Sequence, residues 1–329
     1  MSGMAKMDRD LARRAGAKSG PWSKVAKGGA VLGMGALGVL LGGLPFLAAK
    51  RVLHPVWAQP QPGMEPGVLT LDLPVVGEAV EYVAADGVTV CGWFVPGPSD
   101  TKKPWPCVLL VYGYGGFKEQ MSGYVKLLYE GGFSTFLFDM QGTGSRKGAP
   151  VSFGHREQDD MLDALKYLRT RPDVDPRRLG VLGVSMGAAT ALLAAARDKG
   201  VKAVVADSSY ADLTCMIAPG VSAFVGRKAV WIAPIIVRYA EMMLGMRSSQ
   251  IRPAEAASRL GERPLLVIHG ETDSLIDVDS ADRIYKAASG PKEIWTVPDC
   301  DHAYAPVVAA DEYKRRVNGF FQKYLGTGL

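Results

Sequence analysis

The chain has 329 residues, 48% of them hydrophobic, and a formal net charge of +5 at pH 7, enough apolar material to core one large or two ordinary domains. Of its 38 basic and 33 acidic residues, nine and two fall in positions 1–51, leaving 29 against 31 in the remainder. A nearly neutral body without a basic stripe excludes nucleic acid as a partner, because phosphate binding needs clustered Lys and Arg.

Residues 1–27 form a basic, polar tail, and residues 28–49 follow as 22 positions without a charge, bounded by Lys27 and Lys50. As a helix the stretch spans about 33 Å, sufficient to cross a bilayer core. Seven glycines and Pro45 weaken its insertion. It is read as a retained transmembrane anchor in preference to a cleaved signal peptide or a glycine-rich surface helix. It is longer than a usual signal core and lacks a small-x-small cleavage site. The basic residues ahead of it place the N-terminus in the cytoplasm and the main domain outside. Arg13-Arg14 is a weak twin-arginine signal, since apolar residues do not follow it closely. Residues 50–68 contain Pro55, Pro60, Pro62 and Pro66 and are expected to be a stiff linker. Residues 69–329 have the size of one α/β domain and show no internal repeat.

That domain opens with apolar stretches at 80–84 and 88–95 around Ala85-Asp86-Gly87, a hairpin signal. Continuous apolar runs at 107–112 and 133–138 predict strands buried on both faces of a parallel sheet. Between them, 118–130 suits a helix. A helix over 155–169 precedes a strand at 178–184 and an alanine-rich helix over 188–196. Further strands are expected at 203–206, 265–269 and 292–297, with helices over 281–288 and 311–325. This alternation implies a mostly parallel, doubly wound sheet with an antiparallel N-terminal pair. More than fifty residues separate Asp207 from Leu265, too many for a plain crossover, so 208–262 is expected to be a helical cap. Its apolar residues include Met216, Phe224, Trp231, Ile235, Ile236, Met242 and Met243. They serve to pack the cap, to line an acyl pocket or to touch a membrane.

Chemistry concentrates at Gly183-Val184-Ser185-Met186-Gly187, between a predicted strand and a predicted helix. A serine there sits on a strained strand-to-helix turn with its hydroxyl raised at the carboxyl edge of the sheet. The bland alternative is a helix N-cap serine. A serine hydroxyl needs a base, and the base needs an acid to fix its tautomer. Asp273 follows the strand ending near His269, and His302 follows the last strand, so both fall on loops at the same sheet edge. Asp207 is the alternative acid. His269 reads as a buried strand-end histidine rather than a base. His155, Glu157 and Asp160 open a helix and are better explained by its dipole than by a metal. His54 is a solvated residue at the membrane edge. Four single histidines and four cysteines without a C-x-x-C pair give no metal-site spacing. No cofactor or metal is expected, and the thiols are expected to be free.

The order Ser185, Asp273, His302 resembles that of α/β-hydrolases. So do the segments Val111-Tyr112-Gly113-Tyr114-Gly115-Gly116, Asp139-Met140-Gln141-Gly142-Thr143-Gly144-Ser145, His269-Gly270-Glu271-Thr272-Asp273 and Asp301-His302. Together they cover nearly all of 69–329 and resemble the serine-hydrolase branch containing carboxylesterases, dienelactone-hydrolase-like and serine-aminopeptidase-like enzymes. The resemblance implies a catalytic triad of Ser185, Asp273 and His302, with an oxyanion hole formed by the Met186 and Tyr114 amides. Tyr112 stands where the family usually has histidine, and Gln141 where arginine is frequent.

The resulting expectation is a membrane-anchored serine hydrolase acting on a small-molecule or lipid-like carboxylic ester or thioester. Amide or peptide cleavage by the same residues is the close alternative. A catalytically idle, membrane-tethered binding protein is the alternative of another class.

Overall fold

The structure, a computed structural model, describes residues 42–55, 69, 71–99, 103–226 and 231–326, with only the backbone described at 223–225. The expected tail at 1–27, most of the uncharged stretch and most of the linker lie outside the described residues. Two compact units are distinguished, Met1–Leu47 and Ala48–Leu329, and the fold below is that of the second. The described part of the first begins the helix Leu44–Leu53. Among the described residues no helix is long and apolar enough to cross a membrane.

Eight strands form one sheet: β1 (Glu78–Val83), β2 (Thr89–Val95), β3 (Trp105–Val111), β4 (Ser134–Phe138), β5 (Val174–Val184), β6 (Val201–Asp207), β7 (Leu265–Gly270) and β8 (Lys292–Val297). Their spatial order is β1-β2-β4-β3-β5-β6-β7-β8. The first two pairings are antiparallel and the rest parallel. This is the α/β-hydrolase arrangement expected from the sequence. The β1–β2 hairpin turns at Gly87, whose φ of 83° suits glycine. Every residue of β3 and β4 is buried, as continuous apolar runs between two helical layers must be.

Helices Ser122–Glu130 and Ala310–Leu325 pack against each other and against the sheet, while Glu157–Leu168, Met186–Arg197, Pro253–Ser258 and Asp279–Ala287 form a second packed group. Alanine dominates Met186–Arg197 because that helix is enclosed: ten of its residues are buried, and small side chains let it approach the strands below and helices beside it. Two boundaries differ from the sequence expectation. The first helix after β3 opens as a 3₁₀ turn, Lys118–Met121. β5 starts at Val174, because Pro176 lies at an exposed position before the buried run and needs no ladder bond there.

The cap consists of helices Thr214–Val225 and Ala233–Leu244, followed by Pro253–Ser258. Arg156 ties its second helix to the domain by donating to the Leu244 carbonyl at 3.0 Å. Positions 50–53 are not part of a linker. Lys50–Leu53 are helical, and Leu53 is fully buried in the main core. The reason is local: the first helix-breaking proline, Pro55, comes only after Leu53.

Candidate active site

The nucleophile candidate is shaped by backbone before any side chain is considered. Ser185 has φ 56° and ψ −121°, a conformation costly for a residue with a Cβ. It persists because the surroundings dictate it. Its amide donates to the Asp207 carbonyl at 2.8 Å, and its carbonyl accepts from Ala188 and Ala189. A Cβ on Gly183 would run into the Gly187 carbonyl, and one on Gly187 into the Val111 carbonyl. Those two glycines therefore allow the helix Met186–Arg197 to start directly against β3 and β5.

Three loops at the carboxyl edge of the sheet bring Ser185, Asp273 and His302 together. His302 Nε2 lies 2.9 Å from Ser185 Oγ, and His302 Nδ1 lies 2.7 Å from Asp273 Oδ2. The other oxygen, Asp273 Oδ1, accepts from the Leu275 and Ile276 amides at 2.9 and 2.8 Å. Asp273 is fully buried as a side chain, and His269 Nε2 sits 3.3 Å from its Oδ2. Burial alone would raise the carboxyl. Hydrogen bonds from His269 and His302 outweigh it and hold Asp273 well below the ordinary carboxylate range. In turn, burial pushes the His269 imidazole down, but the adjacent carboxylate and the Ile276 carbonyl leave it raised. His269 is thus a buried strand-end residue supporting the acid, as the sequence suggested.

Asp207 does not reach His302 in a hydrogen bond. Its carboxylate accepts from the Tyr313 hydroxyl and the Ser208 hydroxyl, each at 2.9 Å. Complete burial pushes its carboxyl up. Its contact with the site is the carbonyl that fixes Ser185.

Gly113 packs against Ser185, so a Cβ placed there would stand 3.3 Å from the serine Cβ. That brings the loop carrying Tyr114 close to the nucleophile, and Met186 begins the helix on its other side in sequence. The first amides of a helix have no intrahelical acceptor and point outward from its N-terminus. Tyr112, which replaces the family's histidine, has its own part in holding this loop. Its hydroxyl pairs with Thr143 Oγ1 at 2.5 Å and accepts from the Met140 amide at 2.8 Å. The loop after β3 is thereby fastened to the loop after β4.

The second loop is itself organised by carboxylates, of which Asp139 had no role assigned from the sequence. Asp139 accepts from Lys118 Nζ at 2.6 Å, the Ser145 amide at 2.8 Å and the Ser145 hydroxyl at 3.0 Å. Gly144, at φ 48°, leaves no room for a side chain against that carboxylate. Asp160 accepts from the Gln141 amide at 2.8 Å and pairs with Arg146 at 3.1 Å. Glu157 accepts from the Ser152 and Gly154 amides. Both acids lie in the first turn of their helix, as expected. Their carboxylates reach back to loops, so hydrogen bonding adds to the dipole argument. Among the described residues no cluster could hold a metal ion, and Cys91, Cys107, Cys215 and Cys300 are free thiols.

Ser185 opens into a cavity of about 290 Å³ whose lining is almost wholly apolar. Met216 and Ile236 of the cap line it, with Tyr210, Leu213 and Leu275 from the domain side. Trp231 and Met242 instead face solvent, 59% and 62% exposed, and Met243 is 37% exposed. Ile235 is half-buried, and the Phe224 side chain lies outside the described ones. Among the described lining residues the only carboxylate is Glu241. Its Oε1 accepts from the Ser248 amide and hydroxyl at 2.9 and 2.8 Å, and its Oε2 lies 3.8 Å from Arg238. Glu241 and Ser248 carry no sequence motif that marks them, and neither do Val52 and Leu53, which also line the cavity.

A family model described as X-Pro dipeptidyl-peptidase (S15 family) matches residues 90–258. The uncharacterized protein YfhR of Escherichia coli (strain K12) is 31% identical over 237 residues, covering 70% of this chain and 74% of its own. Rv2307c of Mycobacterium tuberculosis is 29% identical over 264 residues, covering 78% and 85%. Among solved structures, the Pyrococcus furiosus esterase Pf2001 superposes with a TM-score of 0.63 at 24% identity, covering 80% of this chain and 100% of that one. That last likeness is one of fold.

Proposed function

The chain belongs to the S15 family of α/β-hydrolases, and from that premise we propose that it is a membrane-tethered serine hydrolase cleaving carboxylic esters with apolar acyl groups through an acyl-enzyme. The observation that carries this reading is the line Asp273–His302–Ser185, with contacts of 2.7 and 2.9 Å, at the mouth of an apolar cavity. In the proposed scheme Ser185 Oγ attacks the ester carbonyl carbon as its proton passes to His302 Nε2. Asp273 steadies the resulting imidazolium. The Tyr114 and Met186 amides hold the oxyanion. Collapse breaks the bond to the alcohol, which leaves with the proton from His302, and water then repeats the sequence on the acyl-enzyme.

Peptide cleavage is the second reading, favoured by the description of the family. A substrate ammonium would need an acidic partner in the cavity. Glu241 is already bound by Ser248 and faces Arg238, which supports the ester. The tether rests on the uncharged stretch at 28–49 and the basic residues before it, which orient the catalytic domain outward.

Labelling by a fluorophosphonate probe tests the enzyme reading. The native protein is expected to label and Ser185→Ala is not; equal labelling of the two would sink it and leave the binding-protein alternative. Comparing p-nitrophenyl esters with amino-acid anilides then separates esterase from peptidase. Protease protection of the catalytic domain in intact cells versus inverted vesicles tests the orientation.

A further inference from the structure

The end of the helix Leu44–Leu53 is built into the substrate cavity. Val52 and Leu53 line it together with Ser185, Tyr114 and Met216. The Val52 carbonyl accepts from the Tyr114 hydroxyl at 2.7 Å. The Leu53 carbonyl accepts from the Val151 amide at 2.8 Å. One turn earlier, Ala49 is fully buried among Val221, Ile232 and Ile236 of the cap. A single helical turn therefore touches the loop after β3, the body of the domain and the cap. Tyr114 is gripped twice, because the Phe153 ring stacks on it with centroids 5.2 Å apart.

We infer that this turn determines acyl specificity, forming the wall against which a long acyl chain lies, and that through Tyr114 it positions the amide assigned to the oxyanion. The inference rests on the hydrolase reading above and names its substrate class: esters whose unbranched acyl chain is long enough to reach Val52. An acetyl group at Ser185 leaves most of the cavity unfilled and makes no use of that wall. A longer chain removes its own surface and that of Val52 and Leu53 from water together.

Tyr114 is a positioning residue in this account, since its hydroxyl acts through the helix and its amide remains in any variant. Val52 determines specificity without touching the reacting atoms.

The test uses the full chain with p-nitrophenyl acetate and p-nitrophenyl decanoate, with thermal melting as the control for folding. Native protein is expected to prefer the decanoate in kcat/KM. Val52→Trp fills the wall and is expected to lower the ratio of kcat/KM for decanoate to that for acetate tenfold or more. Val52→Ala, the milder change, is expected to move the preference toward chains longer than decanoyl. Tyr114→Phe should lower kcat about tenfold for both esters with KM within twofold, the pattern of a lost transition-state interaction. Equal effects of Val52→Trp on both esters overturn the inference. So does native hydrolysis of acetate alone, or an unchanged kcat in Tyr114→Phe. Failure of the native protein to hydrolyse either ester, with no Ser185-dependent labelling, overturns the hydrolase reading itself.

Discussion

The carboxyl edge of the sheet and the cap above it are built on opposite terms. At the sheet edge, polar atoms are held by several partners at once: Asp273 by two amides and two imidazoles, Asp139 by Lys118 and Ser145, Ser185 by the Asp207 carbonyl. The cap is held by apolar contact together with the hydrogen bond from Arg156 to its second helix and the bonds from Arg283 to Asp212 and Cys215 at its first, with wide exposure at Trp231 and Met242. Directional bonds fix geometry, whereas apolar contacts tolerate changes of shape that conserve volume. The contrast separates how a bond is broken from which molecule is held while it breaks.

Changes at the sheet edge should therefore be severe, and changes in the cap graded. The largest expected effect is that of Asp273→Asn, which leaves the fold intact and lowers kcat by about 10⁴-fold, the loss that follows when a serine protease triad loses its carboxylate charge. Asp207→Asn is the control: a comparable loss there would assign the acid to Asp207. Next comes Gly187→Ala, whose methyl group meets the Val111 carbonyl. It is expected to cost about 3 kcal/mol or more, beyond ordinary overpacking because rigid backbone is struck. Denaturant titration measures it, and a shift below about 1 kcal/mol would show that the elbow can relax. In the cap, Ile236→Ala should lower kcat/KM for a long-chain ester by about tenfold while probe labelling of Ser185 keeps its rate. A parallel fall in labelling would mean that the two regions are coupled.

The smallest effect concerns acid stability. The folded state holds Asp273 well below the ordinary carboxylate range, so the unfolded chain takes up the proton first as pH falls. The stabilisation is complete above about pH 5 and is lost on descending through the carboxylate range. The acid limb of the pH–stability curve is expected to be shallower in Asp273→Asn. An unchanged limb would place the lost charge elsewhere.

Much of the sheet edge was legible in the sequence because each part of it has a local signature. The buried strands are uninterrupted apolar runs, the elbow is two glycines around Ser185, and Asp273 and His302 each follow a strand end by a few residues. The choice between Asp273 and Asp207 was not legible to the same degree. Asp207 ends β6 and Asp273 follows the end of β7, and only the direction of their carboxylates, one toward Tyr313 and the other toward His302, distinguishes them. Val52 and Leu53 were read as the start of a linker because their partners, Tyr114 and Val151, lie 62 and 98 positions away. No spacing rule joins residues that far apart. The reading of 28–49 as an anchor falls largely outside the described residues.

The separation of 117 positions between Ser185 and His302 has a consequence for synthesis. The serine, its glycines and the β6 carbonyl that fixes it all leave the ribosome before the histidine does. Until His302 arrives, the hydroxyl has no base and cannot be acylated at a useful rate. A growing chain thus lacks a reactive serine until His302 has emerged, and that histidine is held in place only once β8 has joined the sheet.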